Sequence, residues 1–340
     1  MRLSAMGDVA MTVPVLRAFV QQNPEVKITV VSRPFFKPFF EGISNLSFFA
    51  FDEKQRHKGF LGLLRLFQDL KALQIDAFAD LHNVLRSKVV RTLFALSGKK
   101  IASVDKGRDE KAALTRAENK IFKPLIPMFE RHVKVFQQLG FTVDLSNPIF
   151  PTKAALDAEL IQLIGENFPI AIGKKLIGIA PFAQYDSKVY PLDLMQQVID
   201  QLASTKTHKI LLFGGGKKEI ELLDSLSKNK ENVVVVAGKI KFQQELQLIS
   251  NLDVMLSMDS GNAHIAAMLG IKVITLWGAT HPFAGFSPFN QTLENALTAY
   301  RNLFPKLPTS VYGNKIVGGY EDAMRTISVE SVINKINSFL

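Results

Sequence analysis

Residues 253–278 read DVMLSMDSGNAHIAAMLGIKVITLWG. The apolar run before Asp259 has no polar alternation, so it reads as a strand buried on both faces. Ser260-Gly261-Asn262 open a helix, Gly270 stops it, and KVITLW (272–277) forms a second buried strand. Two such strands joined by one helix are a βαβ unit of a parallel sheet. The pattern continues upstream. KKLIGIAPF (174–182), HKILLFGGG (208–216) and NVVVVAG (232–238) read as strands, and PLDLMQQVIDQLAS (191–204), KKEIELLDSLSKN (217–229) and FQQELQLISNL (242–252) as helices. The second half is therefore expected to be a Rossmann-like domain.

The first half repeats the rhythm with VKITVVS (26–32), IDAFADLH (75–82) and KIASVD (100–105) as strands. GLLRLFQDLKAL (62–73), LRSKVVRTLFALSG (85–98) and MFERHVKVFQQLG (128–140) are its helices. The charged KGRDEKAALTRAENK (106–120) lacks apolar periodicity and reads as a mobile surface loop. DLSNPIFPTKAA (144–155) has linker composition. SVESVINKINSFL (328–340) reads as a terminal helix capped by Ser328. The expected organisation is a domain over 1–155, a second over 166–325 and a C-terminal helix over 326–340. Both domains are doubly wound α/β layers facing a cleft, with ligands at the carboxyl ends of the strands.

Composition narrows the function. Of 340 residues 47% are hydrophobic and 21% charged, which is a globular balance for two domains. No apolar run reaches the roughly 18 residues of a membrane span, and the residues present show no secretory-signal pattern. The chain has no Cys, which excludes disulfides and thiolate metal sites and fits a reducing cytoplasm. The expected location is cytoplasmic, at most peripheral on the inner face of the cytoplasmic membrane. Residues 1–150 hold 23 Lys+Arg against 14 Asp+Glu and 17 of the 26 Phe, whereas residues 151–340 hold 18 against 17. A basic, Phe-rich half beside a neutral one suggests different partners for the two surfaces. SRPFFKPFF (32–40) and HKGFLGLLRLF (57–67) combine bases with apolar side chains, as segments at an anionic membrane surface do; both could equally face a core.

Several loops could carry chemistry. The start of the helix after Asp259 offers unpaired amides at Ser260 and Gly261 and a donor at Asn262, a cradle for phosphate. A helix cap at Asp259 or Ser260 is the structural alternative. His264 lies inside that helix and is expected to act from behind the ligand-touching residues. Gly214 and Gly215, and Gly238 with Lys239, mark two more strand-to-helix junctions, which a nucleotide along the sheet edge would join. Neither has the spacing of a dinucleotide fingerprint. Lys188 supplies a point charge suited to a diphosphate, though alone it would read as a surface lysine. Gly7-Asp8 begins a helix with a carboxylate that either caps it or serves as a general base. The His and carboxylate spacings match no metal site, so neither metal nor cofactor is expected.

Together RLSAMGDVAMTVPVL (2–16), DLHNVLRS (80–87), SKVYP (187–191) and the block from Ala237 to Phe283 resemble glycosyltransferase family 9, the heptosyltransferases of lipopolysaccharide core assembly. The resemblance covers essentially the whole chain. It implies a GT-B fold, with acceptor in the first domain and nucleotide sugar in the second. By that resemblance Asp8 corresponds to the catalytic base and Lys188 to the donor-phosphate lysine. Asp259, Ser260, Gly261 and Asn262 correspond to the donor loop, Gly238, Lys239 and Ile240 to the adenine contacts, and Glu219 to a ribose contact. Arg86 and Ser87 fall on the acceptor side. The implied reaction is inverting transfer from ADP-heptose to a lipid A/inner-core acceptor by a monomer. Gln184 replaces the family's common Ser or Thr, and Val189-Tyr190 its Arg/His-Trp, which bears on the donor sugar. Family members also carry a full strand before the Gly-Asp turn, so the natural product is expected to begin upstream of Met1. The rival readings are another GT-B transferase or epimerase using a different nucleotide sugar, and a basic nucleic-acid-binding protein. For the latter no aromatic RNA-binding motif appears.

Overall fold

The computed structural model describes residues 1–165, 174–315 and 317–340, and it gives each half of the chain its own parallel sheet. Contacts divide the chain into one unit of residues 1–107 with 126–150 and another of 108–125 with 151–340. The expected start of the second domain at 166 lies outside the described residues.

The first unit opens with α1 (Met6–Ala10) and α2 (Thr12–Gln22), followed by β1 (Ile28–Ser32), β2 (Leu46–Ala50) and α3 (Gly59–Lys71). β3 (Ala77–Asp80), α4 (Leu85–Leu96) and β4 (Lys100–Ser103) come next. β1 pairs in parallel with β2, Ile28 opposite Leu46, and β3 with β4, Ala77 opposite Lys100. Met1–Leu3 run between the two pairs. The Met1 amino group donates to the Ala79 carbonyl at 2.7 Å and the Leu81 amide donates to the Met1 carbonyl at 3.1 Å. One residue bonding to two positions spaced by two on its neighbour is the parallel pattern. On the other side the Arg2 amide donates to the Val31 carbonyl at 3.1 Å. The spatial order is therefore β2, β1, residues 1–3, β3, β4. Leu3, Phe51, Leu66, Phe78 and Phe94 are buried together around it.

The segment read as a mobile loop is instead ordered. Residues 108–115 form α5 (Arg108–Thr115), whose Leu114 packs with Leu125 and Ala284, so this strap belongs to the second unit. Its apolar face is only Leu114 and a few alanines, too little to show as periodicity. The chain then returns to the first unit with α6 (Met128–Gln138).

The second unit contains α7 (Ala158–Ile164), β5 (Lys175–Ala180), α8 (Leu192–Ser204), β6 (His208–Leu212), α9 (Lys217–Ser227) and β7 (Val233–Val235). It continues with α10 (Phe242–Ser250), β8 (Val254–Met258), α11 (Gly261–Met268), β9 (Lys272–Trp277), β10 (Ala296–Thr298) and α12 (Val329–Asn337). Its six strands are all parallel, in the order β10-β9-β8-β5-β6-β7. This is a doubly wound sheet whose chain direction reverses between β5 and β8, the position where such sheets bind ligands. Ser328 caps α12 by accepting from the Ser331 amide at 3.1 Å, as expected.

Gly278, just after β9, has no room for a side chain. A Cβ there would lie 2.5 Å from the Ser187 carbonyl oxygen and 2.6 Å from Met324 Cγ. Gly278→Ala should cost about 1–3 kcal/mol in urea unfolding; an unchanged midpoint would show that the loop yields freely.

Candidate functional site

The carboxyl ends of β5 and β8 are neighbours, and each supplies one charge. After β5 the chain makes a short 3-10 turn, Asp186–Lys188, and Lys188 Nζ lies 3.1 Å from the Oδ2 of Asp259, the first residue after β8. Both side chains are nearly buried, at 12% and 9% exposure. The Thr280 hydroxyl, itself buried, donates to the same Oδ2 at 2.8 Å. Lys188 is also fixed through its stem. Gly313 has φ +86, and a Cβ on it would lie 2.6 Å from Lys188 Cγ and Cδ, so only glycine lets the loop lie over that side chain. The Ser187 hydroxyl donates to the Gly313 carbonyl at 2.6 Å, and Ser310 Oγ accepts from the Gly313 amide at 2.9 Å.

Beside this pair begins α11. From Ala263 to Met268 the helix is buried, whereas Ser260, Gly261 and Asn262 stay partly open to solvent. Ser260 is the N-cap residue in extended conformation, and its Oγ sits 3.1 Å from Ser257 Oγ. The accessible part of the helix is thus its amide-bearing end, next to a lysine. His264 is buried in the same helix.

The strap over 108–125 buttresses the Thr280 loop. Phe122 meets His281 and Phe283 with ring centroids 4.9 Å apart in each case, and the Arg301 guanidinium lies 3.5 Å over the Phe122 ring. The Leu125 amide donates to the Phe283 carbonyl at 2.9 Å. Burial, with Arg301 nearby, pulls the His281 imidazole down to about 4, so it stays neutral and accepts from the Phe283 amide at Nδ1.

The other junctions are placed less simply. Glu219 turns back on its own loop, its Oε2 accepting from the Gly215 amide at 2.8 Å beside Gly214. Gly238 (φ +75) lies close over Ile220, Lys239 is exposed and Ile240 half-buried. Tyr190 next to the lysine is fully buried, with its hydroxyl on the Ile327 carbonyl at 2.7 Å; burial pushes its phenol up to about 12.

In the first unit Asp8 lies in the first turn of α1, immediately beyond the central residues 1–3. Its Oδ2 is 2.6 Å from Arg2 Nη2 and accepts from the Ala5 amide at 3.2 Å. Arg2 is buried and also donates to the Leu81 carbonyl at 2.7 Å. His82 Nδ1 accepts from the Leu3 amide at 3.4 Å. Burial, then the Arg2 and Lys106 charges, bring His82 down to about 4, so it is a neutral group beside the ion pair. Arg86 is half exposed and binds Glu53 at 3.0 Å, which Arg33 also holds. Ser87, expected on the acceptor side, lies in the first turn of α4. It is fully buried, and its hydroxyl accepts from the Val84 amide and donates to the Val84 carbonyl, capping α4.

Thr280, Gly313 and Ser310 were given no role from the sequence. Thr280 stood inside a block already singled out, but only its contact with Asp259 shows its part. Among the described residues no group of three or more His, Asp and Glu side chains is arranged to hold a metal.

A doubly wound unit with a lysine and an open helix start at its switch point, in a chain with a second parallel-stranded unit carrying a carboxylate at its central segment, is the setting in which comparison with known proteins identifies a glycosyltransferase. It belongs to glycosyltransferase family 9 (heptosyltransferase), whose sequence profile matches residues 63–313. The lipopolysaccharide core heptosyltransferase OpsX of Haemophilus influenzae is 24% identical over 343 residues, covering 99% of this chain and 94% of the relative. Lipopolysaccharide heptosyltransferase 3 of Escherichia coli K12 is 25% identical, covering 89% and 87%. In structure, the E. coli heptosyltransferase WaaC with ADP superposes with TM-score 0.69 at 19% identity, over 100% of this chain and 98% of that one.

Glu245, in the first turn of α10, is a group that the sequence did not mark. Burial pushes its carboxyl from the ordinary 4.5 up to about 7. Its folded-state value exceeds the unfolded one, so the native state loses stability as pH rises from about 4.5 through 7. Glu245→Gln should therefore be more stable than the parent at pH 8 by about 1–3 kcal/mol and equal to it near pH 4. Unfolding curves at the two pH values check this; a gain at both would reject burial as the cause.

Proposed function

We propose that the enzyme transfers a heptose from ADP-heptose to a lipid A/inner-core acceptor with inversion, Asp8 acting as general base. The observation that carries the reading is the matched placement of two charged groups. Asp8 stands at the carboxyl end of the first unit's central segment, and Lys188 with the open amides of Ser260 and Gly261 stands at the switch point of the second. The donor is supported by the E. coli neighbours solved with ADP and with ADP-2-deoxy-2-fluoro heptose. The acceptor class is supported by the lipopolysaccharide core relatives.

In this mechanism the bond from the anomeric carbon to the β-phosphate oxygen breaks, and ADP leaves with the bonding electrons. Lys188 and the helix-start amides stabilise the charge that grows on that oxygen. The acceptor oxygen forms its bond on the opposite face of the sugar and gives its proton to Asp8. Asp259 is itself anionic, so its part is to hold Lys188 in place with Thr280 rather than to touch phosphate. The donor diphosphate must then share Lys188 with Asp259. Arg2 holds Asp8 in orientation until the hydroxyl arrives.

Asp8→Asn should lower kcat by about 10²–10⁴-fold and leave donor affinity unchanged; undiminished turnover would exclude Asp8 as base. ADP should raise the melting temperature of the wild-type chain and UDP should not. Lys188→Ala should abolish the ADP shift, and a shift that survives would move the diphosphate elsewhere.

A further inference from the structure

We infer that the carboxyl edge of the first unit's sheet docks on an anionic lipid surface, with Phe35, Phe60, Leu61 and Leu85 as the inserting side chains. These four are exposed by 55%, 65%, 68% and 79%. They come from three separate places in the chain, and topology puts all three at one edge. Phe35 follows the carboxyl end of β1, Phe60 and Leu61 open α3 after β2, and Leu85 opens α4 after β3. Asp8 follows the central residues 1–3 at this same edge.

The sequence marked two of these segments, and the structure separates what each contributes. In SRPFFKPFF, Phe36, Phe39 and Phe40 are buried and Phe35 alone is exposed among the phenylalanines. In HKGFLGLLRLF, Leu63 and Leu66 face the core, and Phe60 and Leu61 do not. An inward-facing requirement therefore explains the other apolar residues of these segments but not these. Two large apolar side chains in succession at a helix start cost solubility unless something covers them.

Charge decides what covers them. Lys37, Lys54, Lys58, Arg65 and Lys88 are exposed around the four. Of the nearby acids, Glu53 is held between Arg33 and Arg86, Asp8 pairs with Arg2, Asp69 with Arg56 and Asp105 with Arg131, Asp52 caps the turn at 54–56, and Glu41 is exposed. Apolar tips ringed by cations match a bilayer carrying anionic headgroups, where tips insert and each base adds attraction. This rests on the reading above in one respect: an acceptor with a lipid part lies in such a surface, and this edge would meet it there.

The test is co-sedimentation of the full chain with vesicles of phosphatidylcholine, with and without phosphatidylglycerol, in the absence of donor and acceptor. The chain should bind the anionic vesicles, less so as salt rises. The double variant Phe60→Ser, Leu61→Ser should lower the partition constant about tenfold or more, and its melting temperature should be unchanged. Leu96→Ser is the control: it is 81% exposed, at the far end of α4, and should bind as the parent does. No binding to anionic vesicles, parent-like binding by the double variant, or an equal loss in Leu96→Ser would each overturn the inference. Turnover of a soluble core-fragment acceptor should be the same in the double variant and the parent. Failure of the parent in that assay would count against the proposed reaction and leave the vesicle result standing.

Discussion

The ion pair between Lys188 and Asp259 depends on one topological fact, that β5 and β8 lie side by side although 73 residues separate the end of one from the start of the other. Such a pair is costly to bury, and its attraction offsets the desolvation only when further hydrogen bonds complete it. Thr280 completes it from the loop after β9, and the strap from 108 to 125 holds that loop by ring contacts with His281 and Phe283. Charge, hydroxyl and support come from four separate parts of the chain. A site assembled in this way is stable only if the whole sheet edge is formed, so the loops contribute little rigidity of their own.

The two units use opposite signs in the same place. The first holds a carboxylate with a buried arginine, and the second holds a lysine with a buried carboxylate. In each, the buried inner partner fixes the direction of the outer one. The neutral His82 fits this arrangement, since a second cation beside Arg2 would compete for Asp8. In the reaction proposed above, the signs would suit the tasks assigned: a proton acceptor must be anionic before it works, and a leaving-group support must be cationic throughout.

The core strands were legible because a strand buried on both faces has to be continuously apolar, and β5, β6, β8 and β9 are. β2 (LSFFA) and β10 (ALT) were not read. Both are edge strands, short and only partly buried, so the environment imposes little pattern on them. The resemblance singled out Asp8, Lys188 and the start of α11, and the structure adds partners such as Arg2 and Thr280 that the sequence did not mark. Thr280 meets Asp259 across 21 residues, and no local rule foretells that distance. Ser87 and Glu219 show why residue type alone does not decide a role. Each is a polar residue early in a helix, where capping and ligand binding call for the same side chains, and in both the backbone takes the bond.

The strap is the least legible element and connects most of the rest. The chain leaves the first unit at Gly107 and returns at Ile126. Buried Arg131 secures both points from inside the first unit, donating to the Ile126 carbonyl at 3.1 Å and to Asp105 Oδ2 at 3.2 Å. Gly107 (φ +58) leaves its guanidinium no space for a neighbouring side chain. Between these points Leu114 and Leu125 are buried with Ala284, the partly buried Phe122 packs on Phe283, and Lys120 donates to the Pro308 carbonyl at 2.7 Å. Arg131 thus ties the two points where the excursion leaves and rejoins the first unit, and a few buried side chains hold its middle. The loop that carries Thr280 is therefore supported by sequence from the first half of the chain, and a change at Phe122 reaches the Lys188–Asp259 pair through His281 and Thr280 rather than through the fold of either sheet.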